Sequence, residues 1–406
     1  MKITVSSPDG LGDFILRIPM LRALREAGHQ LQIFLREPAA GFAKNIFPDA
    51  DLHLIREDPY RDETRKKRNP FRREHDLIRR FRPDLYVAAL FSLNFFDEVW
   101  IEMNKEGVPV AGFTTNENFW PTGTLCDPKQ LASGFQIKVG VSVALSELEK
   151  NRLLGSAILG VDVHPVAPKA SPDSETLDLA RSLLKEHGLE EGGYWIACVG
   201  GRSGLKMKDW GERNWKDFFE AVFPEDGKQI LFLGNSKEWE SIERIRSVAL
   251  RSVNLASTPP PITVSLALAA LSCGYVGRDS GVMHMTAALG RPVLAAYGGG
   301  HWGRFLPSSG PAVVVTQAMS CRMCHFSCLH EQPYCITRIT MESMLAAWEK
   351  LPTARGVEIM EQENDPILDK ICFEDALKFA MRCDSESKRK AASARSSGVF
   401  GRLFGK

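Results

Sequence analysis

The feature that most constrains this 406-residue chain is an alternation of short apolar, β-branched runs with longer stretches of helical periodicity. KITVSS leads into FILRIPMLRALREAG and then LQIFLR; further along come DLYVAALF, YWIACVG, QILFLGN, GYVG and PVLAAYG. Strands that are apolar throughout need cover on both faces, and the intervening helices provide it, so the pattern predicts parallel sheets of an α/β fold. The length accommodates two doubly wound, Rossmann-like domains. Periodicity breaks at GVDVHPVAPKASPDSET, which contains three prolines. This places a first domain at 1–160, a linker at 161–176, a second domain at 177–351 and a C-terminal extension at 352–406.

Composition matters first through charge. Fifty-one Lys and Arg balance fifty Asp and Glu, so the chain as a whole has no field for a nucleic acid partner. Positive charge is local instead. Residues 61–82 carry ten basic against four acidic side chains, and the tail 388–406 carries six basic and none acidic. That tail is low in complexity and reads as a solvated, flexible segment; Phe400, Leu403 and Phe404 among its charges would also suit peripheral contact with an anionic inner-membrane surface. No stretch is long and apolar enough for a membrane helix, and the N-terminus lacks the apolar core of a signal peptide, so a cytoplasmic location is expected.

Ligands of open parallel sheets collect at the carboxyl ends of strands, where glycine turns lead into helix N-termini. Four stretches fit. In SSPDGLGDFILRIP, Gly10 and Gly12 permit a tight turn and Asp13 opens a helix, either as its cap or as a functional carboxylate. In VGGRSGLKMKDW, Arg202, Lys206 and Lys208 sit among glycines as an anion loop without the Walker A spacing. In LFLGNSKEW, Glu238 stands three residues after Asn235, a capping-box spacing that also suits a ribose ligand. In GRDSGVMHMTAALGRPV, Asp279, Ser280 and His284 are the residue types of a hydrolase triad. Their order argues against one: no G-x-S-x-G elbow is present, and Asp279 beside the serine is badly placed for the far imidazole nitrogen. A strand end, a cap at Asp279 or Ser280, and a helix with free amides at 281–283 make an anion seat instead. No G-x-G-x-x-G follows a strand, which weighs against a nicotinamide enzyme.

Nine cysteines are too few and too uneven for a disulfide framework in a reducing compartment. Four of them, Cys321, Cys324, Cys328 and Cys335, are spaced C-x2-C-x3-C-x6-C. Two readings stand: a structural Zn or Fe site, with His325 and His330 as substitute ligands, or a buried cluster of small apolar side chains.

Together, GLGDFILRIPMLRAL, KDWGERNW, GRDSGVMHMTAALGRPV and CRMCHFSCLHEQPYCITRIT resemble glycosyltransferase family 9, the ADP-heptose:lipopolysaccharide heptosyltransferases. The resemblance implies a GT-B fold whose two domains face a central cleft, with the donor held by the second. It implies inverting transfer of heptose from ADP-heptose to a lipopolysaccharide-type acceptor, with no cofactor required for the chemistry. By position, Asp13 resembles the catalytic base, Lys208 the donor-phosphate lysine, Asp279, Ser280, Gly281 and His284 the donor loop, and Glu238 a ribose ligand. Gly12, Arg202, Lys206 and Arg304 become candidate phosphate or acceptor contacts. The sequence departs from the family at SSPDG before the first turn and at GGGHWGRF after the strand PVLAAYG. Two rival readings remain: a related transferase with another nucleotide sugar or a protein acceptor, and a non-catalytic nucleotide-sugar scaffold.

Overall fold

A computed structural model describes residues 1–92, 94–104, 107–116, 134–200, 206–223, 227–248, 251–326, 328–363, 366, 368–375 and 378. Arg202, the tail 388–406 and the side chain of Lys206 lie outside the described residues.

Two wholly parallel sheets carry the chain. The first contains β1 (Lys2–Ser7), β2 (Gln30–Leu35), β3 (Asp51–Leu54), β4 (Leu85–Ala88), β5 (Val110–Thr114) and β6 (Ile137–Gly140), in the order β3-β2-β1-β4-β5-β6. The second contains β7 (Tyr194–Cys198), β8 (Gln229–Phe232), β9 (Ser252–Asn254), β10 (Tyr275–Arg278), β11 (Val293–Ala296), β12 (Ala312–Gln317) and β13 (Val357–Gln362), in the order β13-β12-β11-β10-β7-β8-β9. Val5 pairs with Ile33 on one side and Val87 on the other, and Gly277 with Ala295 and Cys198. Strand order reverses between β1 and β4 in the first sheet and between β7 and β10 in the second. A crevice opens at the carboxyl ends of strands at such a reversal, and this fixes where a ligand can sit.

The Leu11–Glu26 helix buries Phe14, Ile15, Ile18, Met20, Leu21 and Leu24, each stabilising by roughly 1.5–3 kcal/mol on full burial. That apolar face is enough to carry the helix through Pro19, which lacks an N–H. No helix or strand lies between Leu159 and Ser174. The second sheet extends past residue 351, where the sequence suggested that the domain ends. VEIMEQ at 357–362 is an edge strand, paired with β12 from Ala312↔Val357 to Gln317↔Gln362. Its acidic side chains form ion pairs, Glu358 with Lys350 at 2.7 Å and Glu361 with Arg322 at 2.5 Å. Among the described residues no helix is long and apolar enough to cross a membrane.

Candidate active site

The first sheet contributes a carboxylate pair. After β1 the chain turns through Pro8, Asp9 and Gly10, and the helix begins at Leu11 with Gly10 as an N-cap that lends no side-chain hydrogen bond. Asp13 lies in the first turn and is not the cap, so the capping account of this residue fails. Burial and the neighbouring Asp9 carboxylate push the Asp13 pKa up to about 8; Arg17 pulls it down, Glu147 adds to the rise and Arg304 opposes it. A carboxyl held this basic can act as a proton acceptor near neutral pH.

The second sheet contributes an anion seat at its strand-order reversal. Lys208 follows β7 in a short 3-10 turn and Asp279 follows β10; their side chains meet at 2.5 Å. Ser280 caps the Gly281–Ala288 helix, accepting from the Met283 amide at 3.2 Å. The Met283 amide is therefore already used, and the sequence expectation of free amides at 281–283 contracts to the first two. Tyr275 Oη lies 3.0 Å from Ser280 Oγ and holds the cap in place. His284, one turn into the helix, is buried; burial lowers its pKa to about 4, against the pull of Asp279 and with the help of Lys208, so its imidazole is neutral at pH 7. Its Nε2 is 3.9 Å from Asp279 Oδ1. The triad geometry is absent, because Ser280 bonds to backbone and Tyr275 while His284 faces the aspartate.

The two halves touch. A Cβ on Gly12 would come 2.6 Å from His284 Cδ2, and one on Gly281 would come 3.1 Å from Leu11. Glycine at both positions lets the two helix N-termini abut, which sets Gly12, the chain neighbour of Asp13, against the His284 ring. A buried ion cluster ties the domains beside them. Arg304, from the GGGHWGRF stretch, donates Nε to Glu147 Oε1 at 2.7 Å, and Lys150 donates to the same oxygen at 2.7 Å. Burial works against the Glu147 charge, but Arg304 and Lys150 outweigh it and lower its pKa. The Arg304 guanidinium packs over Phe91 and Phe305, and its Nη1 has no hydrogen-bond partner among the described residues.

Glu238 forms the capping box that its spacing suggested, with Asn235 as the cap. It also pairs with Arg278 at 2.6 Å, a partner the sequence did not reveal. Cys321, Cys324, Cys328 and Cys335 line one cavity with Met207 and His330. His330 Nε2 is 3.3 Å from Cys321 Sγ, and burial pushes the Cys335 thiol up to about 12. Among the described residues no group of three or more His, Cys, Asp or Glu is arranged to hold a metal ion. The cavity adjoins Lys208, since Met207 lines it and precedes that lysine, and Phe326 lies 5.4 Å beneath the Lys208 ammonium.

Sequence reasoning missed Asp9, Arg17, Glu147, Lys150 and Arg278. The one local signal was spacing: Arg17 stands at i+4 from Asp13, and Lys150 at i+3 from Glu147. Nothing in the sequence joined Glu147 to Arg304, 157 residues away.

Two facing doubly wound parallel sheets, each with its strand-order reversal at the carboxyl ends of its strands, are the architecture of a glycosyltransferase of the GT-B type. The profile of glycosyltransferase family 9 (heptosyltransferase) matches residues 132–334, half of the chain, and the chain belongs to that family. Solved structures agree in fold. Escherichia coli ADP-heptose lipopolysaccharide heptosyltransferase II superposes with a TM-score of 0.62 at 16% identity, covering 86% of this chain and 98% of that one. A family 9 glycosyltransferase from Veillonella parvula gives 0.67 at 17% identity over 86% and 96%. Escherichia coli heptosyltransferase WaaC with ADP gives 0.58 at 16% identity over 87% and 99%. No curated protein matches by sequence.

Proposed function

We propose that the chain transfers a heptose from ADP-heptose to an anionic glycan acceptor of the lipopolysaccharide-core type, with inversion. The observation that carries this reading is the contact of Gly12, the chain neighbour of Asp13, with His284, which stands beside the Lys208–Asp279 pair. Displacement of ADP leaves negative charge growing on the diphosphate while the anomeric carbon becomes oxocarbenium-like. Lys208 and the Gly281 and Val282 amides at the helix N-terminus stabilise that charge where it develops. Asp279 holds the lysine in position until the diphosphate competes for it. Neutral His284 offers a ring N–H to a phosphate or sugar oxygen. Asp13 takes the proton of the acceptor hydroxyl from the opposite face, as in-line displacement requires. Glu238, anchored by Arg278, binds the ribose hydroxyls.

Arg65 supports an anionic acceptor. It lies in the basic segment 61–82, packs over Phe95, and keeps buried Nε and Nη2 atoms without a hydrogen-bond partner among the described residues. Arg304 Nη1 is in the same position. Phosphates or carboxylates on the acceptor would satisfy both. Relatives with solved structures include one with bound ADP and one with bound ADP-2-deoxy-2-fluoro heptose, and the choice of donor follows them.

The test is thermal stabilisation by ADP, UDP, GDP and NAD in parallel. Stabilisation by ADP alone is expected, rising with the logarithm of concentration above Kd. Stabilisation by UDP or NAD alone would refute the donor assignment.

A further inference from the structure

We propose that Asp9 is a positioning residue for the candidate base: it occupies Arg17, which helical spacing would otherwise pair with Asp13, and so leaves Asp13 free to take a proton. The proposal rests on the reading of Asp13 as the base. Asp13 and Arg17 stand at i and i+4 of one helix, acid before base, the spacing and order in which side chains pair most readily. They do not pair. A guanidinium has five N–H groups, and Arg17 spends all five elsewhere. Nε donates to Asn151 Oδ1 at 3.2 Å; Nη1 donates to Ser7 Oγ and to Asp9 Oδ1 at 3.2 Å; Nη2 donates to Asp9 Oδ2 at 2.8 Å and to the Ala89 carbonyl at 2.9 Å. The side chain is 1% exposed and Asp9 is 8% exposed, so water is not an alternative partner for either.

Asp9 supplies two of these five acceptors and the only charged ones. It is itself fixed by the Ser7 hydroxyl at 3.0 Å. The remaining acceptors come from the carboxyl ends of β1 and β4 and from the Glu147–Leu159 helix, so the arrangement is built at the strand-order reversal where the acceptor must lie. Other groups that act on Asp13 are Tyr60 from the loop before the Asp62–Arg65 turn, Glu147 and Arg304; the first two are anionic or neutral, and Arg304, the one cation of the three, bonds through Nε to Glu147. His284 faces Gly12 as a neutral ring. With Asp9 in place, Asp13 has a carboxylate for a neighbour and no cation bonded to it. With Asp9 neutral, the i,i+4 pairing becomes available to Arg17.

The experiment follows the Asp13 carboxyl by 13C NMR titration of the full chain labelled at aspartate, the resonance being assigned by its loss in Asp13→Asn. Wild type, Asp9→Asn, Arg17→Met and the Asp9→Asn/Arg17→Met double variant are compared, with Arg17→Gln in place of Met if the latter does not fold. Asp9→Asn is expected to lower the Asp13 midpoint by at least about one pH unit. Removal of Arg17 should then raise the midpoint far more in the Asp9→Asn background than in wild type, because only there is Arg17 paired with Asp13. The acid limb of the transfer rate should follow the same order, with the donor KM unchanged. Equal effects of removing Arg17 in the two backgrounds would overturn the proposal. If Asp13→Asn retains full transfer, the base assignment falls while the titration result stands by itself, so the two failures are distinguishable.

Discussion

Asp13 gives the sharpest consequences at the scale of single residues. If Asp13 is the base, as proposed, it must be ionised to work; burial and Asp9 raise its pKa to about 8, so transfer is expected to rise with pH through that value, as a pH-rate profile would show. The same shift has a stability sign. A carboxyl whose folded pKa lies above its unfolded one near 4 contributes stability below pH 4 and loses it as pH rises through 8. Asp13→Asn should therefore melt higher than wild type at pH 8–9, by at least about 2 °C, and the difference should vanish near pH 4. Ser280 lies on the other side of the chemistry. It is a helix cap with Tyr275 behind it, and on the proposed reading it binds donor and does not attack; Ser280→Ala should cost about 1 kcal/mol of stability and weaken ADP binding while turnover persists, measured by denaturant unfolding and calorimetry. Asp279, Ser280 and His284 were legible in the sequence because a strand end, a cap and one helical turn are local. Asp9 was not, since its role depends on five bonds that Arg17 makes to four residues on three separate segments.

Among elements, the decisive contacts are those between helix ends. The Leu11–Glu26 and Gly281–Ala288 helices meet because glycine stands at both points of contact, and a Cβ on Gly12 would collide with the His284 ring. Gly12→Ala should therefore displace His284 and lower transfer by about tenfold or more, with ADP binding also reduced, as measured by steady-state kinetics and calorimetry. The Arg304–Glu147–Lys150 cluster acts as the second tie. Breaking one partner of a buried charge cluster costs roughly 3–5 kcal/mol, so Glu147→Ala should be strongly destabilised in urea unfolding, whereas a surface variant such as Glu149→Ala should change stability little. Neither tie could be read from periodicity. Alternating strands and helices specify each sheet, but no pattern states which helix of one domain abuts which of the other. β13 shows a different limit: VEIMEQ is an edge strand with no fully buried residue, and it lacks the continuous buried apolar run that marked the inner strands.

At the scale of the whole molecule, two strand-order reversals point their crevices at each other, one presenting a basic carboxyl and the other a lysine, an aspartate, a neutral histidine and a helix N-terminus. The fold class was legible because parallel strands with crossover helices leave an unambiguous rhythm, and membership of family 9 rests on half of the chain. The C-terminal extension was harder, since it packs Leu368 and Cys372 against Met319 and Cys335 through contacts with no sequence period. The central claim is that these two half-sites form one centre for sugar transfer. It is tested most directly by following ADP release and the gain of one heptose on a lipopolysaccharide-core acceptor, by mass spectrometry, for wild type and Asp13→Asn with ADP affinity measured on both. Wild type is expected to transfer, and Asp13→Asn to lose about 100-fold or more at unchanged ADP affinity. Transfer by Asp13→Asn within a few-fold of wild type would contradict the central claim.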